Sequence, residues 1–363
     1  ERMVGGYALY TFVATLLGRG FPATGLGMVA TALDRKKRRI ALHIVRDFVE
    51  RSRADHQAPI SFLYPFRHDF YADMGWALIG QNRQYRFRPS SLPLYAERDQ
   101  VEWVRELDWQ ALDRVHRRSV GAQGGLGLSR NEIRWEWTLR QASHIFLVGP
   151  ADDPRGYLIS RFVKPEGSND HFRYRLEVLE MDWVGPEALR ALLGFLSSQR
   201  DQVQEVVVSL PINLELEMIL RDPVTPGASE LPGSLTAGPT VAYGAMLRLE
   251  DPEAAFAGRP YAGTGSSKDR LTLRVTTSDP LREGAAISFQ AELGGADGHP
   301  SRKAAAGSAR LDCGLATLAA IWAAALPVSR AVELGLAKVD PESAVPTLDR
   351  LLWAPPPWIV EKF

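Results

Sequence analysis

The chain has 363 residues, 45% hydrophobic and 24% charged, ordinary globular values with room for two or three domains. Lys+Arg and Asp+Glu both number 43, so the formal net charge is zero, which argues against a protein devoted to nucleic acid. A single cysteine, Cys313, excludes an intrachain disulfide framework and a thiolate zinc cage; it fits a reducing cytoplasm, and the seven histidines show no metal-ligand spacing.

The opening MVGGYALYTFVATLLGRGFPATGLGMVATAL predicts three strands. Residues 4–12 and 23–33 are β-rich, and Gly18, Gly20 and Pro22 mark turns. No signal-peptide pattern opens the chain, and Glu at position 1 leaves the true N-terminus expected upstream. Five consecutive cations follow at 35–39, running into a helix that starts near Arg39. Ile40, Ile44, Val45, Phe48 and Val49 recur at helical spacing. PISFLYPF (59–66) predicts a buried strand, and HDFYADMGW a short helix closed by Gly75.

The same order recurs. FRYRLEVLEMDW (172–183) predicts a strand and GPEALRALLGFLSSQR (185–200) a helix with Pro186 at its start. VQEVVVSLP (203–211) predicts a buried strand ending in proline, and NLELEMILRD (213–222) a short helix. A duplicated domain is the expectation. The copies differ chemically: where the first has its cations, the second has DWVGPEAL.

Residues 222–240 read as a Pro/Gly/Ser/Thr linker. Two strands, DRLTLRVTTSD and AAISFQAEL, then a loop, DGHPSRKAAAGSAR (297–310), are predicted after it. CGLATLAAIWAAALPV (313–328) falls short of the ~18–20 apolar residues of a membrane span and predicts a buried helix. VSRAVELGLAKV predicts another helix, and the Pro-rich tail ending in Phe363 is expected to pack into the protein.

A cationic run can be a solvated face, a nuclear-type signal, a nucleic-acid patch or a phosphate cradle. Its position between strand and helix favours the cradle, because a helix start offers unpaired N–H groups and the positive end of the dipole. RHD (67–69) lacks a nucleophile elbow and reads as surface or capping polarity, and GTGSSKD (263–269) lacks Walker spacing and reads as a flexible loop.

KKRRIA (36–41), followed by helix, strand and FYADMGW, resembles the Gcn5-related N-acetyltransferases (GNAT). Lys36 stands where that family has Arg or Gln, and Arg39 where it has its first glycine. With VATALDRKKRRIAL, YPFRHDFYADMGW, YGAMLRLED and a terminal Phe, the whole chain resembles the enhanced intracellular survival (Eis) group. The resemblance implies an α+β fold: two GNAT-like α/β domains, the first lacking its initial strand and two helices, then a sterol-carrier-protein-like α/β domain. It implies a catalytic domain at 1–100, a degenerate second domain at 101–240 and the sterol-carrier-like domain at 241–363.

It also implies an acetyl-CoA-dependent N-acetyltransferase of aminoglycoside-like or lysine/peptide amines. Tyr71 would be the general acid and the terminal carboxylate of Phe363 the general base. Val29 and Thr31 would offer backbone groups to the pantetheine arm. Lys36, Lys37 and Arg39 would meet the phosphates, and Ile40 and Ala41 would supply helix-start N–H groups. Phe66 stands near the cofactor, where small or polar residues are common. The resemblance further implies a homo-hexamer; composition and charge give the expectation of a cytoplasmic protein with no metal, nucleic-acid or membrane partner. The alternative is a lipid- or ligand-binding protein on a non-catalytic GNAT scaffold.

Overall fold

The computed structural model describes residues 3–105, 109–164, 174–221, 238–261, 270–282, 286–294, 307–361 and 363. The opening run forms two long strands rather than three, β1 (Gly5–Leu16) and β2 (Arg19–Thr31). Leu17 and Gly18, both at positive φ, make the turn, and pairing runs outward from Leu16↔Arg19. Pro22 lies within β2 but outside Ala23–Leu26, the stretch with a second strand neighbour, so the expected break does not occur.

Next come α1 (Ile40–Ala54), β3 (Ile60–Leu63), the five-residue α2 (His68–Ala72) and β4 (Ala77–Leu78). α1 buries Val45, Phe48, Val49 and Ser52, a single helical stripe, and all four positions of β3 are buried. The region that follows holds elements the sequence pattern did not reveal. They are β5 (Gln81–Phe87), β6 (Val101–Val104), α3 (Trp109–Gln123), β7 (Gly127–Leu128), α4 (Glu132–Arg140), β8 (His144–Val148) and β9 (Gly156–Val163).

β10 (Tyr174–Trp183), α5 (Pro186–Ser198) and β11 (Val203–Pro211) stand where expected. The helix expected at 213–222 is only a 3₁₀ turn, Leu216–Met218. The Tyr85 hydroxyl donates to the Leu214 carbonyl at 2.9 Å and accepts from the Leu216 N–H at 3.1 Å, taking up backbone groups that a helix would use.

The remainder comprises β12 (Thr240–Tyr243), β13 (Met246–Leu249), α6 (Pro252–Gly258), β14 (Leu271–Ser278), β15 (Ala286–Leu293), β16 (Ser308–Cys313), α7 (Leu315–Trp322), α8 (Val328–Glu333), β17 (Ala337–Asp340) and α9 (Val345–Leu351). Two expectations are corrected. The loop at 297–310 ends in strand, since β16 begins at Ser308. The helix over 328–339 stops at Glu333, because Ala337–Asp340 pairs antiparallel with β16. GTGSSKD and most of the 222–240 linker lie outside the described residues.

The chain divides into two units. One comprises residues 1–80, 123–128 and 243–363. It holds a six-stranded sheet, β4-β13-β3-β2-β1-β7, and a four-stranded sheet, β15-β14-β16-β17. One core joins Phe12, Phe21 and Phe62 to Leu273, Leu318 and Trp322. The other unit, residues 81–122 and 129–242, holds the seven-stranded sheet β12-β5-β11-β10-β9-β8-β6 around Val178, Leu192, Leu196 and Val206.

Each unit has a parallel pair joined by a crossover helix, β2/β3 through α1 and β10/β11 through α5, in line with the repeat; β14 and β16 also pair in parallel, joined through β15 rather than a helix. With mixed sheets and helices, the class is α+β. Among the described residues no helix is long and apolar enough to cross a membrane.

Candidate active site

The site grows from a strand that outruns its neighbour. β3 pairs with β2 only over Ala23–Leu26, whereas β2 continues to Thr31. Met28 has φ 52°, and the β1/β2 register shifts between Gly6 and Ala8. The bulge bends the strand, and its backbone beyond Leu26 is open on the β3 side. Val29 and Thr31, both half-buried, lie on this open edge.

The cationic run follows. After the 3₁₀ turn Leu33–Arg35, Lys37 has φ 63° and Arg39 has φ 59°. Two left-handed residues within three curl the backbone, the kind of turn from which N–H groups can be offered to an anion. The cost is roughly 1–2 kcal/mol for each non-glycine residue so held. Arg39 is the N-cap of α1 and makes no side-chain cap, so the N–H groups at Ile40 and Ala41 are not capped by it. No acidic residue stands in the first turn. Lys36, Lys37 and Arg39 are exposed and, among the described residues, form no ion pair, whereas Arg35 faces Asp34 at 3.6 Å. An open groove of about 710 Å³ runs along Thr31, the 35–42 segment, Phe66, Phe70 and Met74.

Tyr71 lies on α2, packed edge-on against Phe66, Phe70 and Trp76 at centroid distances of 5.7, 5.1 and 6.1 Å. It is 3% exposed, and burial pushes its phenol up. It does not line the groove; its neighbours Phe70 and Met74 do. Arg67 pairs with Asp69 at 2.9 Å on the surface and, with Asp73, also lines the groove.

The C-terminal ring enters an aromatic nest of Tyr10, Phe12 and Tyr64, at 5.5, 5.0 and 5.7 Å from the Phe363 centroid. Two glycines make the space. A Cβ on Gly25 would stand 2.6 Å from the Phe363 ring, and one on Gly27 would stand 3.1 Å from the Phe363 carboxyl carbon. The Tyr64 hydroxyl donates to the Ile359 carbonyl at 3.3 Å, and the Trp358 N–H to the Leu126 carbonyl at 3.0 Å, so the tail is tied down on its approach. Leu26 shares a core cluster with Tyr71 and lies between the two glycines. Because strand side chains alternate, Phe363 and Tyr71 belong to opposite faces of the sheet around one stretch of β2. The sequence carried a weak sign of this slot, the spaced glycines of ATGLGMV.

The second unit repeats the open strand without the cradle. β11 pairs with β10 only through Val178, and β10 runs on to Trp183. The turn into α5 carries no cation before Arg190. On that strand stands a buried network that sequence reasoning missed. Glu180 accepts from Arg130 at 2.8 Å and from the Tyr157 hydroxyl. Asp182 meets His116 Nδ1 at 2.9 Å and accepts from Ser119. Although burial acts to raise it, the Glu180 carboxyl is held below its usual range by Arg130.

The comparisons agree with this architecture. The acetyltransferase (GNAT) domain family matches residues 1–79, a second GNAT domain family matches 126–249, and the sterol carrier protein domain family matches 252–360. No curated protein matches by sequence. A GCN5-related N-acetyltransferase from Anabaena variabilis ATCC 29413 superposes with TM-score 0.80 at 18% identity, over 99% of this chain and 87% of its own. Another from Kribbella flavida gives TM-score 0.72 at 21% identity, over 100% and 86%. Eis1 from Mycobacterium abscessus gives TM-score 0.75 at 18% identity, over 100% and 88%. These likenesses concern the fold; a GNAT domain's co-substrate is an acyl-CoA. The chain thus carries two GNAT acetyltransferase domains followed by a sterol carrier protein domain, the make-up of an acetyltransferase.

Proposed function

We propose that this protein transfers acetyl from acetyl-CoA to primary amines, of aminoglycoside type or on lysine side chains of peptides. The observation that carries the reading is the Phe363 carboxyl carbon beside Gly27, where the open edge of β2 begins.

The donor set suits the co-substrate. The pantetheine arm is peptide-like and can extend along the open edge at Val29 and Thr31. Lys36, Lys37 and Arg39, with the N–H groups of Ile40 and Ala41, suit its phosphates. Bound acetyl-CoA supplies the activated acyl group. The Phe363 carboxylate accepts a proton from the attacking amine as the N–C bond forms. The Tyr71 hydroxyl donates its proton to the sulfur as the C–S bond breaks. Burial keeps that phenol protonated, which a general acid requires.

We assign catalysis to residues 1–100, a non-catalytic second GNAT-like region to 101–240, and to 241–363 the delivery of the terminal carboxylate. The cationic run at the turn from β2 into α1, without a counterpart at the turn from β10 into α5, supports one co-substrate per chain. A cytoplasmic homo-hexamer is proposed on resemblance, and light scattering tests the assembly. A lipid-carrier role has less support, since Leu273, Val275 and Leu311 of the four-stranded sheet pack in one core with α7 residues Leu318 and Ile321.

The test mixes full-length protein, acetyl-CoA, kanamycin or neomycin, and a thiol reagent. CoA release that needs the amine is expected. No release across a broad panel of amines sinks the proposal.

A further inference from the structure

Arg248, on β13, is fully buried and makes three directed contacts. Its Nε donates to the Met74 carbonyl at 3.1 Å, its Nη2 to Asp279 Oδ1 at 2.6 Å, and its Nη1 to Glu250. Both carboxylates are held in turn: Glu250 accepts from the Ser61 hydroxyl at 2.5 Å, and Asp279 from the Leu281 N–H at 3.0 Å. A buried ion triad is by itself a poor source of stability, because the desolvation of its charges offsets their attraction. What this triad does uniquely is fix one guanidinium against one backbone carbonyl.

That carbonyl belongs to the turn that ends α2. The Met74 N–H and the Trp76 N–H both donate to the Tyr71 carbonyl, at 3.0 and 3.1 Å. The Arg248 guanidinium also lies 5.2 Å from the Trp76 ring centroid, and that ring meets Tyr71 edge-on. Tyr71 is thus reached from Arg248 twice, through the backbone of the turn and through the Trp76 ring. Asp279 follows β14, so the anchor ties α2 to the four-stranded sheet.

We infer that Arg248, clamped by Glu250 and Asp279, is a positioning residue that sets the place of the Tyr71 hydroxyl during acyl transfer. The inference rests on the reading of Tyr71 as the general acid.

Full-length R248K, D279N and Y71F, and each of the first two combined with Y71F, are assayed with acetyl-CoA and neomycin. R248K keeps a charge between the carboxylates but lacks the Nε–H that holds the Met74 carbonyl. Displacement of the acid should lower kcat about tenfold or more in R248K and about threefold in D279N, with the acetyl-CoA KM within about twofold. Neither change should lower kcat further in the Y71F background, because the group they position is gone. Equal losses in both backgrounds, or a change in KM alone, overturn the positioning role and leave Tyr71 as the acid. Y71F with wild-type kcat removes the Tyr71 reading and this inference together. If R248K does not fold, D279N, which keeps Arg248 and Met74, decides by the same comparison, and unchanged kcat there overturns the inference.

Discussion

A side chain on Gly27 would stand 3.1 Å from the carboxyl carbon of Phe363. The last residue of the chain and a glycine of its second strand are therefore in contact, and the strand backbone there is open on its other side.

Deleting Phe363 is expected to lower kcat by about a hundredfold or more, the scale of a general base. Gly27→Val should do the same by displacing the terminus, since small misplacements cost about that much. Steady-state kinetics on folded variants checks both. Full turnover by the deletion protein disproves the terminal base.

Tyr71→Phe should lower kcat on a similar scale, about a hundredfold, with little change in acetyl-CoA KM. The sign of the pH effect follows from burial. The phenol is raised from 10.0, so the neutral, donating form persists through the physiological range and is lost only as pH climbs through the raised value. A wild-type profile that falls on a tyrosine-dependent limb near neutrality contradicts this.

Arg39→Gly separates strain from charge. Glycine tolerates φ 59°, so the thermal midpoint should hold or rise. Loss of a charge-assisted phosphate contact should weaken CoA binding about tenfold, near 1.5 kcal/mol. Calorimetric titration with CoA is the readout. Unchanged or tighter binding removes Arg39 from the phosphate ligands.

In the second unit, Arg130→Met strands the buried Glu180 carboxylate and should cost about 3–5 kcal/mol. The folded-state value of Glu180 is depressed, so its stabilising share is present above the unfolded value and lost as pH falls through the folded one. Urea melts at falling pH should show a wild-type loss that the variant lacks. Equal acid sensitivity in both proteins counts against the pairing.

The parts legible in sequence were local. The stripe Val45, Phe48, Val49 marks a helix whatever it packs on, and the repeated strand–helix–strand order follows from periodicity. The cationic run at 35–39, too, is visible in the sequence alone, and it lies between β2 and α1. Other parts depended on partners distant in sequence. Ala337–Asp340 is a strand because β16 pairs with it, and NLELEMILRD is no helix because Tyr85 takes its backbone groups. α3 is mostly polar around a buried stripe of Leu112, Val115, His116 and Ser119, and its buried His116 is satisfied by Asp182.

By itself the sequence determined the duplicated pattern, a cationic run between strand and helix in the first copy with no counterpart at the second, and an apolar final segment, because charge order and hydrophobic period are properties of neighbouring residues. Only the tertiary structure decided that the last carboxylate meets Gly27, that Tyr71 and Phe363 belong to opposite faces of the sheet around one stretch of β2, and that Arg248 reaches the turn beneath Tyr71. Those contacts join residues far apart in the chain. They exist only once β13 pairs with β3 and β4 in the six-stranded sheet and Phe363 folds back against β2.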